Sequence, residues 1–242
     1  LGASGSIGRA ICAALLEAGF ECLAVFRDSP DALEQVRRSL PQEQGDNLRL
    51  LAADLTTAAG RAGLLEHMGK PEVHPLVVVS AASTAPHSRP VESLGAESFE
   101  QALAIDLLPL VELVRFLAPA MKHHRFGRVV AIGSTAAVGR PDSGWAPYST
   151  AKAALGAYIK SLALELGPAG VTANLVVPGM TATGMTAALS TRFKTIATAD
   201  TPTGQLTSPE QVAEMVRYLC SPEGANISGQ RLVLDGGREM PW

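Results

Sequence analysis

The sequence predicts an α/β fold in one domain, a doubly wound parallel sheet with helices on both faces. Three observations carry this. Short apolar runs alternate with longer amphipathic ones along the whole chain. A glycine-rich turn at the start runs straight into a helical stretch. No linker, internal repeat or low-complexity segment divides the 242 residues, a length that single α/β domains reach routinely. Residues 1–242 are therefore read as one unit.

The chain begins Leu1-Gly2-Ala3-Ser4-Gly5-Ser6-Ile7-Gly8. Small residues there let backbone amides approach a phosphate, and the dipole of the helix expected over Ile7–Ala18 favours its negative charge. Gly2, Ser4, Ser6, Ile7 and Gly8 are the candidate dinucleotide-binding positions, and Gly19 is a stop for the helix. A strand should feed such a turn, and only Leu1 precedes it; most of a first strand is expected to lie upstream of this sequence.

The strand Cys22–Phe26 ends on Arg27-Asp28. An acidic residue at this tip accepts from the adenosine ribose, whereas an arginine pairs with a 2′-phosphate. Arg27 comes first and Arg9 lies just past the glycine turn, which favours NADP(H) over NAD. A solvated loop charge is the other reading of either arginine. Ser29-Pro30 opens a helix over Pro30–Leu40, with the proline at its first position. The next strand, Leu48–Ala52, leads to Asp54. Its carboxylate can accept from an adenine amino group or cap a helix over Thr56–His67, and both readings stay open.

Further on, the strand Leu76–Ser80 is followed by a helix over Phe99–His123, and the strand Arg128–Gly133 is closed by Ser134. Tyr148 and Lys152 fall four apart at the head of a helix over Ser149–Leu166, so they share one face, a turn apart. An ammonium beside a phenol favours the phenol's charged form, which suits a general acid for carbonyl reduction. Ser134 can present a hydroxyl to the same substrate oxygen. An amphipathic helix with a surface lysine is the bland alternative for Tyr148-x-x-x-Lys152. The chain closes with a strand over Val171–Val177, a helix over Ser208–Leu219 opened by Ser208-Pro209-Glu210, and a strand over Arg231–Leu234.

Composition narrows the function. With 47% hydrophobic and 18% charged residues the chain can build a sizeable core and is not of disordered type. A net charge of −3 gives no reason to expect nucleic acid or an acidic membrane surface as partner. No apolar run approaches the roughly 20 residues that span a bilayer, and the start lacks the basic-then-apolar order of a signal peptide. Cys12, Cys22 and Cys220 are odd in number and set in apolar surroundings, which predicts buried free thiols with neither disulfide nor metal site. A soluble, cytoplasmic protein is expected.

Taken together, these stretches resemble the short-chain dehydrogenase/reductases over essentially the whole chain, most of all the 3-oxoacyl-(acyl-carrier-protein) reductase branch. The landmarks are the glycine turn, Asp54-Leu55, Ser80-Ala81-Ala82-Ser83, Asp106-Leu107, Ser134, Tyr148 with Lys152, Pro178-Gly179, Ile227-Ser228-Gly229-Gln230 and Asp235-Gly236-Gly237. The resemblance implies a Rossmann fold in which Tyr148 donates the proton, Ser134 bonds the carbonyl oxygen and Lys152 also holds the nicotinamide ribose. It implies further cofactor contacts at Leu55, Ala81, Pro178, Gly179, Thr181 and Thr183. Three positions depart from the family pattern. Ser6 stands for a usual glycine, beside Gly5; Ser80 to Ser83 replaces an Asn-Asn-Ala-Gly strand end; and Asp106 replaces the asparagine that holds a water in the proton relay. The last would put a negative charge near Lys152, slowing the enzyme or shifting its pH profile.

The implied function is NADPH-dependent reduction of a 3-oxoacyl thioester, carried by acyl carrier protein, in fatty-acid or polyketide synthesis. Two alternatives stand beside it: a short-chain alcohol, sugar or steroid dehydrogenase, and a catalytically weakened structural or partner subunit. Self-association through the helices Phe99–His123 and Ser149–Leu166 is implied, as a homotetramer or with a homologous subunit. The stretch Met180–Gln205 corresponds to a substrate lid, with Trp145 and Met185 as candidate pocket residues and His87 and Arg89 either at the cleft or in solvent. The basic run Lys122–Arg128 is read either as a docking surface for an acidic carrier, with Arg125 at the docking position and Ala169 replacing its partner, or as a helix end complementing its own dipole.

Overall fold

The computed structural model describes residues 1–70, 73, 75–183 and 191–240. Its strands are β1 (Cys22–Phe26), β2 (Leu48–Ala52), β3 (Val77–Ser80), β4 (Gly127–Ile132), β5 (Val171–Pro178) and β6 (Arg231–Leu234). The helices are α1 (Ser6–Glu17), α2 (Asp31–Ser39), α3 (Gln42–Asp46), α4 (Ala58–Met68), α5 (Ala96–Asp106), α6 (Leu108–His124), α7 (Ala146–Leu166), α8 (Thr191–Ala199) and α9 (Pro209–Cys220). All strand pairs are parallel: β1 with β2, and β3-β4-β5-β6 in that order. The chain start links the two groups. Leu1 N donates to Val79 O (2.7 Å), Ala81 N to Leu1 O (3.0 Å) and Ala3 N to Val25 O (3.0 Å). An apolar slot of about 140 Å³, lined by Leu15, Val25, Leu64, Val78 and Leu113 among others, lies between them.

The continuous apolar runs make parallel strands because both sheet faces are covered. Along β4, Val129 and Ala131 pack with Leu64 of α4, Leu113 of α6 and Leu155 of α7, while Val130 and Ile132 pack with Ile11 of α1 and Val216 of α9. Successive side chains of a strand point to opposite faces, so one strand feeds both cores. A third cluster joins Leu16 of α1 and Leu33 of α2 to Leu48 of β2.

Several expected boundaries move. The helix expected over Phe99–His123 is two, α5 and α6, broken at Leu107 (φ −117°, ψ −56°). Pro109 has no N–H to return to Ile105, and its ring crowds that carbonyl. The expected helix Thr56–His67 begins at Ala58, and its cap is Thr57, whose hydroxyl accepts from Gly60 N; Asp54 instead accepts from Thr56 N (3.0 Å) and Thr56 Oγ1 (2.7 Å). Ser29 accepts from Asp31 N (3.1 Å) but stands two residues before α2, whose N-cap is Pro30 instead of the expected Ser29, whereas Ser208 and Gln211 form a full capping box on α9. Residues 184–190, in the expected lid, and with them Met185, lie outside the described residues; α8 occupies the part that follows.

The three cysteines are free. Burial pushes the Cys12 thiol up to about 11 and those of Cys22 and Cys220 up to about 12, so all three are protonated thiols at neutral pH. Among the described residues no helix is long and apolar enough to cross a membrane, and no group of His, Cys, Asp and Glu is placed to hold a metal. On the helices expected to mediate self-association, Phe116 and Leu164 are exposed, the latter by 80%.

Candidate active site

Because the strands are parallel, the segments that follow them gather at one sheet edge, the usual ligand crevice of open α/β sheets. There a cavity of about 990 Å³ runs from the glycine turn to Tyr148. Gly2, Ser4, Ser6, Ile7, Gly8, Arg27, Asp54, Leu55, Ala81, Ser134, Tyr148, Lys152, Pro178, Gly179, Thr181 and Thr183 all line it. The structure thus brings together every catalytic and cofactor-binding candidate named from the sequence except Asp106, which pairs with Lys152.

The turn is built for close approach. Gly2 has φ +71°, and a Cβ there would lie 2.5 Å from Ala82 N. A Cβ on Gly8 would strike Gly2 O and come within 2.8 Å of Ala3 Cα. Gly5, by contrast, has φ −66° and room for a side chain, so Ser6 beside it occupies an ordinary first helical position and needs no compensation. At the strand-end departure, Gly2 packs against the backbone of Ala81 and Ala82. Arg9 contributes a buried Nε with no hydrogen-bond partner among the described residues. A cavity of this size, with a glycine cradle at a helix start and an unsatisfied guanidinium nitrogen, fits a dinucleotide phosphate. A Gly8→Ala variant is expected to fold with a loss of about 1–3 kcal/mol from overpacking and to bind a dinucleotide at least about tenfold more weakly. Calorimetric unfolding and cofactor titration measure the two effects.

Arg27 is not free for a phosphate. It forks onto its neighbour Asp28 (Nε–Oδ1 3.0 Å, Nη2–Oδ2 2.9 Å), holding that carboxyl below the usual range. A 2′-phosphate would have to compete with this exposed pair, which is weak for that reason. Asp54 is likewise kept ionised by its hydrogen bonds from Thr56.

Around the candidate catalytic groups, Ser134 follows β4 and its Oγ accepts from Ala136 N (3.2 Å), which orients the hydroxyl and leaves its proton to donate. Tyr148 stands in the first turn of α7 with Trp145 edge-on to its ring, centroids 5.8 Å apart. Its oxygen has no hydrogen-bond partner among the described residues. One turn on, Lys152 Nζ lies 5.9 Å from the tyrosine ring centroid and donates to Ile132 O (2.9 Å).

The lysine's other neighbour is Asp106. Its Oδ1 lies 2.7 Å from Lys152 Nζ, an ionic contact at an angle outside hydrogen-bond geometry. The side chains are 0% and 2% exposed. Asp106 Oδ2 accepts from Thr84 N (3.0 Å) and Thr84 Oγ1 (2.9 Å). The expected water-holding role is therefore replaced by direct pairing, since 2.7 Å leaves no room for a water between these two atoms. Thr84 was invisible as a site residue because nothing near it in sequence points to Asp106.

Of the open assignments, Trp145 and His87 line the cavity and Arg89 does not; Arg89 N donates to Gly144 O (3.3 Å). The basic run is divided. Arg125 caps α6 in the left-handed region (φ 49°) and donates to Pro168 O (3.3 Å), beside Ala169. Arg128 is 3% exposed, stacked 4.5 Å over Phe126 and bonded to Gly127 O. Within this chain the run precedes β4 and Ser134 follows it, so the two lie roughly 20 Å apart across six strand residues. Arg140, Arg238 and Glu239 also line the cavity and carried no signal in the sequence beyond their charge.

A family model described as Enoyl-(Acyl carrier protein) reductase matches residues 2–239. The chain is 30% identical over 239 residues to the 3-oxoacyl-[acyl-carrier-protein] reductase FabG of Escherichia coli, covering 99% of this chain and 95% of that one. Among solved structures, it resembles an oxidoreductase of the short chain dehydrogenase/reductase family from Burkholderia thailandensis, at 30% identity and TM-score 0.83 over 98% and 90% of the two chains. It also resembles L-sorbose reductase from Gluconobacter frateurii, solved with NADPH and L-sorbose, at 25% identity and TM-score 0.88 over 100% and 95%.

Proposed function

Since this chain belongs to the short-chain dehydrogenase/reductase family, as an NAD(P)-dependent oxidoreductase acting on a CH–OH or C=O group, we propose that it reduces 3-oxoacyl thioesters with NADPH. The observation that carries the proposal is Ser134, Tyr148 and Lys152 on one cavity wall, in a chain similar end to end to a 3-oxoacyl reductase.

Ser134 donates a hydrogen bond to the ketone oxygen and orients it, while Tyr148 Oη transfers its proton to that oxygen as charge develops on it. Lys152 donates one N–H to Ile132 O, and an N–H not engaged there is the one to hold the nicotinamide ribose. When bound, NADPH supplies the hydride that reduces the carbonyl carbon. The glycine cradle, Arg9 and Asp54 are the groups to hold its adenosine half.

The preference for NADPH is supported by Arg9 and weakened by the Arg27–Asp28 pair. A sugar ketone is the second reading, favoured by the likeness to L-sorbose reductase. Loss of NADPH absorbance, followed with 3-oxobutyryl-coenzyme A and with L-sorbose and repeated with NADH, separates these readings. The thioester with NADPH is expected to lead each alternative by about tenfold or more in kcat/KM. A faster rate with the sugar, or failure to bind NADPH, overturns the proposal.

A further inference from the structure

Two arginines from distant parts of the chain, Arg140 and Arg238, line the same cavity, and no part of the mechanism above uses them. Arg140 follows the short turn opened by Ser134, where Gly139 N donates to Thr135 O (2.8 Å). Arg238 lies in the tail beyond β6. Asp235 takes Gly237 N (2.9 Å) and Glu239 N (2.7 Å), so the chain wraps around that carboxylate with Arg238 between two anchored amides. The segments touch, because a Cβ on Gly139 would fall on the Glu239 carboxylate. That contact is with the flexible end of the Glu239 side chain, so the two segments lie side by side.

Both guanidiniums line the cavity that holds Tyr148, and both are exposed. Neither has a hydrogen bond or an ion pair among the described residues. The nearby carboxylates Asp142 and Glu239 also line the cavity but stand outside ion-pairing distance of either arginine. Arg37 and Arg217, in contrast, are taken up by carboxylates on their own helices. An unpaired guanidinium at a cleft mouth offers a planar fork that matches phosphate or carboxylate oxygens. Position says whose anion it is. Arg140 follows β4 and Arg238 follows β6, whereas Arg27 and Asp54 follow β1 and β2 on the far half of the sheet. An anion held between Arg140 and Arg238 therefore belongs to the substrate rather than to the adenosine phosphates.

We propose that Arg140 and Arg238 form an anion subsite that reads a phosphate or carboxylate carried by the substrate, an inference that rests on the cavity being a carbonyl-reductase site. For a thioester substrate that anion is either the phosphate of a phosphopantetheine arm or a carboxylate at the end of the acyl chain.

The test compares charged with neutral ligands on wild-type protein and on an R140Q/R238Q double variant, both saturated with NADPH. Calorimetry measures phosphopantetheine against pantetheine. Kinetics measure the N-acetylcysteamine thioester of 3-oxobutyrate against one whose acyl chain ends in a carboxylate. Wild type is expected to favour the charged member of at least one pair by about tenfold or more, as charge-assisted hydrogen bonds supply. In the double variant that ratio is expected to fall to about one. Loss confined to phosphopantetheine assigns the anion to the arm, and loss confined to the carboxylate thioester assigns it to the acyl chain. A wild-type protein without preference in either pair, or a preference that survives in the variant, overturns the subsite. If neither thioester turns over, the reductase reading fails by itself, and the calorimetric ratio still decides the arginines.

Discussion

A Tyr148→Phe variant is expected to keep its fold and its NADPH affinity and to lose about 10²–10⁴ in kcat, the usual contribution of a positioned general acid. The fold is expected to survive because the tyrosine oxygen makes no hydrogen bond among the described residues, so its removal orphans no buried partner. The ring keeps its edge-on contact with Trp145. Lys152 stays where it is, because Asp106 and Ile132 O hold it independently of the phenol. Steady-state kinetics and a cofactor fluorescence titration, run on the same preparation, give both numbers. Activity within a few-fold of wild type would move proton donation to another group.

Removal of Asp106 carries the largest expected effect on stability. In an Asp106→Ala variant, Lys152 keeps a buried ammonium with only one carbonyl beside it, and Thr84 loses the acceptor for both its amide and its hydroxyl. Breaking a buried ion pair from one side costs about 3–5 kcal/mol. For a chain of this length that corresponds to roughly 6–20 °C in Tm. Asp106→Asn is expected to cost less, since an amide oxygen can still serve Thr84 while the ammonium loses its counter-charge. A D106L/K152M double variant is expected to recover most of the stability while remaining inactive, because exchanging both charges for apolar groups removes the desolvation cost along with the attraction. Thermal unfolding of the four proteins checks the order. Equal Tm values for Asp106→Ala and wild type would show that the pair contributes nothing to stability.

Much of the scaffold was legible in the sequence because its signals are local. Cys22–Phe26, Leu48–Ala52 and Arg231–Leu234 read as strands with their observed boundaries, since each is a short, mostly apolar stretch between turn or helix signals. The glycine turn, Ser134, Tyr148 and Lys152 were legible for a similar reason: close backbone approach and one-turn spacing are written within a few residues. Proline shows the limit. Pro109 breaks a helix and Pro119 rides inside one, although both are equally visible in the sequence. The difference lies in whether the surrounding packing compensates the lost hydrogen bond.

The reach of the charged side chains was decided only by the tertiary structure. Arg128 reads as part of a basic surface run, yet β4 carries it inward to lie over Phe126. Arg27 reads as a phosphate ligand and turns onto Asp28. Asp106 was visible as a carboxylate at an unusual position, but its partners, Lys152 on α7 and Thr84 beyond β3, come from elements that only the folded sheet brings together. Periodicity and turn chemistry act over one or two helical turns, so sequence alone determined the layers, the cradle and the one-turn spacing of Tyr148 and Lys152. Which charge meets which is settled by contacts between remote segments and by burial, where low dielectric makes one ångström decisive.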